Sequence, residues 1–451
     1  MRVLFAALVA CVACLPGSPA RAQAPAPDAD PLLAEQRDLA ERAKAILADW
    51  RDAGEGDERA RRPLVIALFT GNDTDPAPNY RERLTRTMQH IQAFYAQEMK
   101  RNGFGEMTFS LENEEDGLLK IYVVRGERPN DQYNGDHGKE IRELVVKQLA
   151  KHGIDGNQQT LVIFCNLTKW DPATRRMSHH SPYYAGGSSR SGTAWQLDSP
   201  LLDVAQITNT DPDQFLHDGQ YGRISLGRYQ SIFVGGVCHE LGHALGLPHN
   251  KERPDEARRW GTALMGSGNF TYGREEREDA KGSFLTLTHA MKLAAHPAFT
   301  GSVKQMHRRP DSRYTRLSLE PIDQGKGVRV SGKVQSDIPV HAVLAYLDPQ
   351  GNKDYNATTH LAVPDAQGRF TIDCAAFEGK AGRLRLAAVH ANGWAPFYED
   401  IATTYTRDPA GVVSVQPFDL DTQRAHAVGA GPNRPAALPD PSRCPCCRPP
   451  R

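Results

Sequence analysis

The pattern of apolar and polar residues changes along the chain, and its first half predicts a mixed α/β fold. Continuous apolar runs at residues 64–69 and 160–166 predict buried strands. Apolar residues at helical spacing between Leu84 and Met99 predict a long amphipathic helix. Further expected elements are strands at 107–111 and 119–124 and a helix at 139–151. The order β-α-β-β-α-β predicts an α/β (α+β) domain with a twisted mixed sheet, covering residues 62–300.

From residue 301 onward the apolar residues fall into short alternating runs, the period of half-buried antiparallel strands. Glycine-containing turns separate runs at 327–334, 340–347, 369–373, 383–390 and 412–418. This spacing predicts an all-β sandwich-like domain at 301–424. Residues 425–451 are rich in Ala, Pro and Arg, and we expect a disordered tail there.

The N-terminus has the features of a secretory signal. Arg2 precedes an apolar run at 3–15, and a small-residue stretch ends at Ala22, after which we expect cleavage. The run is too short to cross a bilayer, so we expect a secreted or periplasmic protein with no stable membrane insertion. A lipoprotein anchor at Cys11 is the less favoured alternative, because so early a cysteine leaves almost no apolar region before it.

Residues 23–61 combine an Ala/Pro linker with a charged amphipathic stretch at 32–51 that predicts a helix. This helix is either a short pro-segment or an element that packs on the main domain. The residues alone leave both alternatives open.

Charge and cysteine content narrow the function classes. The chain has 451 residues, with 54 Lys and Arg against 54 Asp and Glu, so net charge gives no reason to expect a nucleic-acid partner. Export permits disulfides. Cys165 and Cys238 lie in segments expected to be buried, where free thiols or a bridge between them are the alternatives. The pairing of the remaining mature cysteines is also open: Cys374, Cys444, Cys446 and Cys447.

One segment, CHELGHALGLPH at 238–249, carries a specific chemical signal. On a helix, His239 and His243 lie one turn apart on the same face, so both imidazoles can reach one metal ion. Glu240 lies beside them, where its carboxylate can accept a proton from water. Gly246 is suited to end the helix with a positive φ, so that His249 can supply a third nitrogen. Three protein nitrogens with no thiolate are typical of a catalytic zinc site, and the full pattern is expected by chance only ~10⁻⁴ times in this chain.

This pattern resembles the metzincin clan of zinc metalloendopeptidases, whose signature is HExxHxxGxxH followed by a methionine turn. The resemblance covers residues 62–298. It implies that His239, His243 and His249 hold one zinc ion and that Glu240 is the catalytic general base. The sequence GTALMGSG at 261–268 matches the methionine turn, which implies that Met265 is an apolar support beneath the histidines.

The branch within that clan is undetermined. The residues around Gly246 are most similar to those of matrixins, but Asn250 follows the third histidine where matrixins usually have Ser or Thr. No tyrosine stands two residues after Met265, as an astacin-like ligand would require, and no Pro-Arg-Cys-Gly latency motif precedes the domain.

The resulting hypothesis is a secreted zinc-dependent endopeptidase acting on a protein or peptide. We expect an edge strand near 193–197 to support the extended substrate, and Asn269, Phe270 and Tyr272 to line the specificity pocket. Because all these residues precede 300, a chain ending there is expected to keep peptidase activity. The alternative is a secreted adhesion protein with an inactive zinc domain and a sandwich that binds a surface ligand, although retention of Glu240 argues against it. Hydrolysis of a non-peptide amide is a third candidate.

Other candidate sites are weaker. His179 and His180 are favoured as a polar pair over a second metal site. The acidic stretches 72–75 and 211–213 could contribute to a Ca²⁺ site, but neither has the spacing of a loop that supplies six or more oxygens, so calcium is unsupported. No motif for an organic cofactor is found in the sequence.

Overall fold

The computed structural model describes residues 31–53, 60, 62–351 and 356–421. The predicted signal at 1–22, the lipoprotein alternative at Cys11 and the tail at 425–451 lie outside these residues. Three of the cysteines after residue 22 are described, and all three are buried free thiols: Cys165, Cys238 and Cys374. The Cys165–Cys238 bridge is therefore not formed.

A five-stranded mixed sheet organises the first half of the chain. Three parallel pairings and one antiparallel pairing give the strand order β2-β1-β3-β7-β6. Ile66 in the central strand pairs with Ile121 on one side and Val162 on the other. The strands are β1 (Val65–Thr70), β2 (Ile121–Arg125), β3 (Thr160–Cys165), β6 (Tyr184–Gly187) and β7 (Gly192–Leu197). β1 and β3 are buried at every residue, as their continuous apolar runs predict.

Helices accompany this sheet, and the buried face of one of them follows the sequence pattern closely. Leu84, Met88, Ile91, Tyr95 and Met99 form one buried face of the second helix, as their helical spacing predicts. The helices are α1 (Pro31–Asp52), α2 (Tyr80–Arg101), α3 (Gly138–Ala150), α4 (Leu226–Ala244), α5 (Pro254–Trp260), α6 (Leu287–Ala294) and α7 (Pro297–Thr300).

Two predictions about strands in this half were wrong. Residues 107–111 form no strand, because their backbone joins no ladder even though Phe109 is buried. The segment 193–197 is a strand but not an edge strand: β7 lies between β3 and β6, and β6 is the edge. Apolar spacing predicts that a strand exists but contains no information on its neighbours.

The first half also contains short strands outside this sheet. A second sheet has the order β4-β5-β8-β9, and a two-strand ladder joins β10 to β11. These strands are β4 (Thr168–Asp171), β5 (Arg176–His179), β8 (Phe215–Asp218), β9 (Gly222–Ser225), β10 (Thr262–Ala263) and β11 (Ser283–Phe284).

The second half is an all-β domain of two antiparallel sheets, as predicted. One sheet has the order β12-β13-β16 and the other β15-β14-β17-β18-β19. Their strands are β12 (Ser312–Ile322), β13 (Gly327–Ser336), β14 (Val340–Asp348), β15 (Thr358–Ala362), β16 (Arg369–Cys374), β17 (Ala381–His390), β18 (Ile401–Arg407) and β19 (Val413–Val415). Val330, Ile372 and Leu386 lie in the apolar core between these sheets.

The two halves share a hydrophobic core. Leu344 and Val389 from the β domain belong to the same buried cluster as Met265 and Met291 from the first half. α1 packs against both β14 and α6, so the predicted N-terminal helix forms and connects the two halves. The C-terminal domain is therefore joined to the first half by buried apolar contact.

Candidate active site

Helix α4 carries the first three candidate residues. Its N-terminus is capped by Ser225, whose hydroxyl accepts a hydrogen bond from the Arg228 N–H at 3.2 Å. His239 follows about four turns later and His243 one turn after that, with ring centroids 4.9 Å apart. Glu240 lies between them and is 1% exposed. The (i, i+4) spacing therefore brings both imidazoles to one buried place, as expected.

A glycine turn brings the third histidine back to this place. Gly246 has φ of +82°, and its N–H donates to the His243 carbonyl at 3.0 Å. Any other residue would be strained in this left-handed conformation. The turn places Nε2 of His249 3.0 Å from Nε2 of His243. The ligand atoms of His239, His243 and His249 all lie within 4.8 Å of one another, and this is the single such group of three among the described residues.

Backbone carbonyls fix the orientation of two of these rings. Nδ1 of His239 lies 2.7 Å from the Leu264 carbonyl, and Nδ1 of His243 lies 2.7 Å from the Leu247 carbonyl. Because a carbonyl only accepts, each Nδ1 carries the proton and each Nε2 presents a lone pair. Carbonyl partners of this kind orient metal-ligating histidines in proteins.

The chemistry of these side chains fits a metal ion. Burial lowers the pKa of His239 to about 4 and that of His243 to about 3, and it lowers the pKa of His249 as well. The imidazoles are therefore neutral near pH 7, the state in which they bind a metal. Two neutral Nε2 atoms 3.0 Å apart would repel unless a proton or cation lay between them. Three nitrogen donors with no thiolate suit a catalytic site better than a closed structural one.

Glu240 has a buried carboxyl group with a raised pKa. Burial raises the pKa of its carboxyl group to about 8, and Oε2 has no hydrogen-bond partner among the described residues. A buried carboxylate without a partner costs stability, so such groups concentrate at functional sites. A bound cation beside it would favour the ionised form and lower this pKa.

Met265 lies beneath the helix that carries the histidines. Its side chain is fully buried, and a methyl group added at Gly242 would overlap its sulfur. The turn at Met265 also holds the site through its backbone: the neighbouring Leu264 carbonyl contacts His239, and the Met265 carbonyl accepts from the Asn250 N–H at 3.2 Å. Gly242 in α4 and the turn at Met265 therefore fit each other.

Several other predicted site residues lie elsewhere. Tyr272 is buried in the main core, with its ring 5.3 Å from that of Phe94, and Asn269 is 2% exposed. These two residues therefore do not line an open pocket, whereas Phe270 is half-buried. His179 packs edge-on against Phe233, and its neighbour His180 contacts a backbone carbonyl 3.3 Å away. Neither joins the histidine cluster.

The acidic stretches show ordinary turn contacts. Asp73 accepts a hydrogen bond from the Asn130 N–H at 2.8 Å, and Asp211 accepts from the Asp213 N–H at 2.9 Å. Neither stretch contributes to a group of three metal-binding side chains among the residues described.

One residue beside the cluster was not predicted from the sequence. Phe397, from the C-terminal domain, lies with its ring centroid 6.3 Å from that of His243 at an interplanar angle of 35°. No motif surrounds this phenylalanine, and it is 154 residues beyond the histidine in the chain (397 − 243). Its place at the site follows only from the packing of the two halves.

Comparison with known proteins gives two matches. The family model Metallopep, described as "Putative peptidase family", matches residues 70–254, which include the whole histidine cluster. The structure also resembles wild-type OgpA from Akkermansia muciniphila, with a TM-score of 0.65 at 25% sequence identity. That match covers 82% of this chain and 99% of OgpA. The chain is a metalloprotease.

Two further findings complete the comparison. This metalloprotease has a TM-score of 0.65 and 24% identity to a catalytically inactive OgpA in complex with an O-glycopeptide (glycodrosocin) substrate, with 82% of this chain covered. No curated protein sequence matches it. Within the described residues, no helix combines the length and apolar character needed to cross a membrane.

Proposed function

We propose that this metalloprotease is a secreted, zinc-dependent endopeptidase. The observation that carries the proposal is the buried cluster of His239, His243 and His249, with Glu240 in the same helix as the first two histidines and its Oε2 without a hydrogen-bond partner among the described residues. Zinc, when bound to the three imidazoles, would act as a Lewis acid that polarises the scissile carbonyl. Secretion is supported by the signal-like sequence at 1–22.

Glu240 would act as the proton carrier in this reaction. Its carboxylate would accept a proton from the attacking water and later pass it to the leaving amide nitrogen. One carboxyl group can take up and release this proton because two effects oppose each other. Burial raises the pKa of Glu240, and a nearby cation would lower it. The motif and the turn at Met265 support membership of the metzincin clan.

The edge strand β6 is the element best placed to hold an extended peptide. It pairs only with β7 among the described strands, and its Gly187 lies against the Ala244 carbonyl at the end of α4. An extended chain can add to such an edge through backbone hydrogen bonds. β6 therefore replaces the segment 193–197 as the proposed substrate support.

The likeness to OgpA suggests one substrate class in particular. OgpA is described in complex with an O-glycopeptide substrate, and 99% of the wild-type OgpA chain aligns with this one. We therefore propose that the substrate is a peptide or an O-glycosylated peptide. The alternative, a binding protein with an inactive zinc domain, is weakened because the chain retains Glu240 together with all three histidines.

The test is a paired assay on the purified mature protein. Metal analysis is expected to find about one zinc per chain, and casein or an O-glycopeptide is expected to be cleaved internally. A chelator should remove both the metal and the cleavage, and added zinc should restore them. The same peptide with and without its glycan would identify the substrate class. Zinc-loaded protein that cleaves none of these substrates would favour the binding-protein alternative.

A further inference from the structure

Residues 392–400, here called the cleft segment, connect β17 to β18 in the C-terminal domain and reach the candidate active site. Within this segment Phe397 is half-buried, and its ring lies 6.3 Å from that of His243. His243 is 4% exposed, so the phenylalanine covers one side of a buried metal-binding ring while keeping part of its own surface open. An apolar face is thus presented beside the place where a substrate must bind.

Contacts to the first half of the chain hold the cleft segment in this position. The buried Lys292 of α6 donates a hydrogen bond from Nζ to the Pro396 carbonyl at 3.0 Å. Gly393 has φ of +82°, and a Cβ there would lie 2.8 Å from the Ala295 carbonyl, so only glycine allows so close an approach. The segment therefore packs directly on the end of α6.

The first residues of the segment are also held by the chain before β12 and by the β6–β7 loop. Asn392 donates from Nδ2 to the Gln305 and Arg308 carbonyls, each at 2.9 Å. The Trp394 ring centroid lies near two guanidinium groups, 5.3 Å from that of Arg190 and 5.7 Å from that of Arg309. Arg190 belongs to the loop after the proposed substrate-binding strand, so the segment contacts the chain next to that strand.

We propose that Phe397 is a specificity-determining residue that contacts an apolar substrate side chain within two residues of the scissile bond. An extended peptide advances about 3.3 Å per residue, so a ring 6.3 Å from a metal-binding imidazole is within the reach of that part of the substrate. The C-terminal domain then contributes directly to substrate choice. This inference rests on the proposed peptidase function.

The experiment uses zinc-loaded full-length mature protein and the variants Phe397→Ala, Phe397→Leu and Phe418→Ala. The last is a matched control, because Phe418 packs against the outer core of the sandwich. Peptide libraries are compared that differ only at the residues flanking the scissile bond. Phe397→Ala should lower kcat/KM about 10-fold for peptides with a large apolar residue there, mainly through KM. Peptides with glycine at that position should change less than about 2-fold, and Phe397→Leu should retain most of the preference.

A binding measurement separates this inference from the proposed function. Acetohydroxamate and a leucine-containing peptide hydroxamate are titrated against each variant, since both need the metal but only the second has an apolar side chain. Phe397→Ala should weaken the peptide hydroxamate about 10-fold and leave acetohydroxamate unchanged, even if the wild type cleaves no peptide. If Phe397→Ala changed the affinity of both hydroxamates equally, or of neither, the inference would be overturned. An equal loss of peptide-hydroxamate affinity in Phe418→Ala would also overturn it.

Discussion

Removal of the C-terminal domain is expected to unfold the metalloprotease rather than leave an active fragment. The sequence predicts the opposite, because every residue of the metal site precedes residue 300. In the structure, however, the β domain supplies part of the main core. Its larger contributions to that core are four buried side chains: Leu344, Tyr346, Val363 and Val389.

The magnitude follows from the burial of those four side chains. Full burial of one large apolar side chain contributes about 1.5–3 kcal/mol, so four contribute about 6–12 kcal/mol. These figures are upper bounds, because the unfolded chain already buries some apolar surface. Even so, this loss of stability approaches the free energy of unfolding of a whole domain, typically about 5–15 kcal/mol. Truncation would also expose the faces of α1 and α6 that pack on β14.

The assay compares mature chains ending at residue 300 and at residue 421 with the full-length protein. Circular dichroism melting, zinc content and peptide turnover are measured on each. The chain ending at 421 retains all described residues and should behave as the full-length protein does. The chain ending at 300 should show no cooperative melting transition and little zinc. A cooperative transition with zinc content and turnover close to those of the full-length protein would refute the shared-core reasoning.

Three further perturbations test individual contacts. His249→Ala should retain much less zinc than the wild type at equal free zinc, measured by equilibrium dialysis, because two imidazoles remain of three; unchanged affinity would exclude His249 as a ligand. Gly242→Ala should lower the free energy of unfolding by about 1–3 kcal/mol in denaturant titrations, since its methyl group meets the Met265 sulfur, whereas the volume-conserving Met265→Leu should cost less than about 1.5 kcal/mol. In the metal-free protein, burial raises the pKa of Glu240 to about 8, so stability is lost as pH rises from about 4.5 through 8. Metal-free Glu240→Gln should therefore melt at a higher temperature than the metal-free wild type at pH 8, with a smaller difference at pH 5. Equal melting temperatures of the two proteins at both pH values would contradict the raised pKa of Glu240.

The histidine pair was predictable from sequence because its geometry is local. His239 and His243 need only a helix to share a face, and His249 needs only the turn that Gly246 permits. The strands β1 and β3 were predictable for a similar reason, since continuous apolar runs indicate buried strands wherever they pair. Residue spacing within one segment is thus enough to predict the histidine cluster and these two strands.

The errors arose where long-range pairing decides the outcome. β7 is internal because the short strand β6, which has no distinct apolar pattern, adds beside it in antiparallel orientation. Tyr272 is in the core because α2 supplies the aromatic partner Phe94. Phe397 reaches His243 through contacts between distant parts of the chain. None of these neighbours can be read from residue spacing within one segment.

The measurement that tests the central claim most directly is peptide turnover and zinc content determined on the same samples of wild type and Glu240→Gln. The amide keeps the size of the side chain but cannot accept a proton from water. The variant should bind zinc as the wild type does and lose at least about 10³–10⁴-fold in kcat, the upper part of the range for general-base catalysis. Turnover close to that of the wild type in a zinc-loaded Glu240→Gln sample would remove Glu240 from the mechanism and contradict the proposed function.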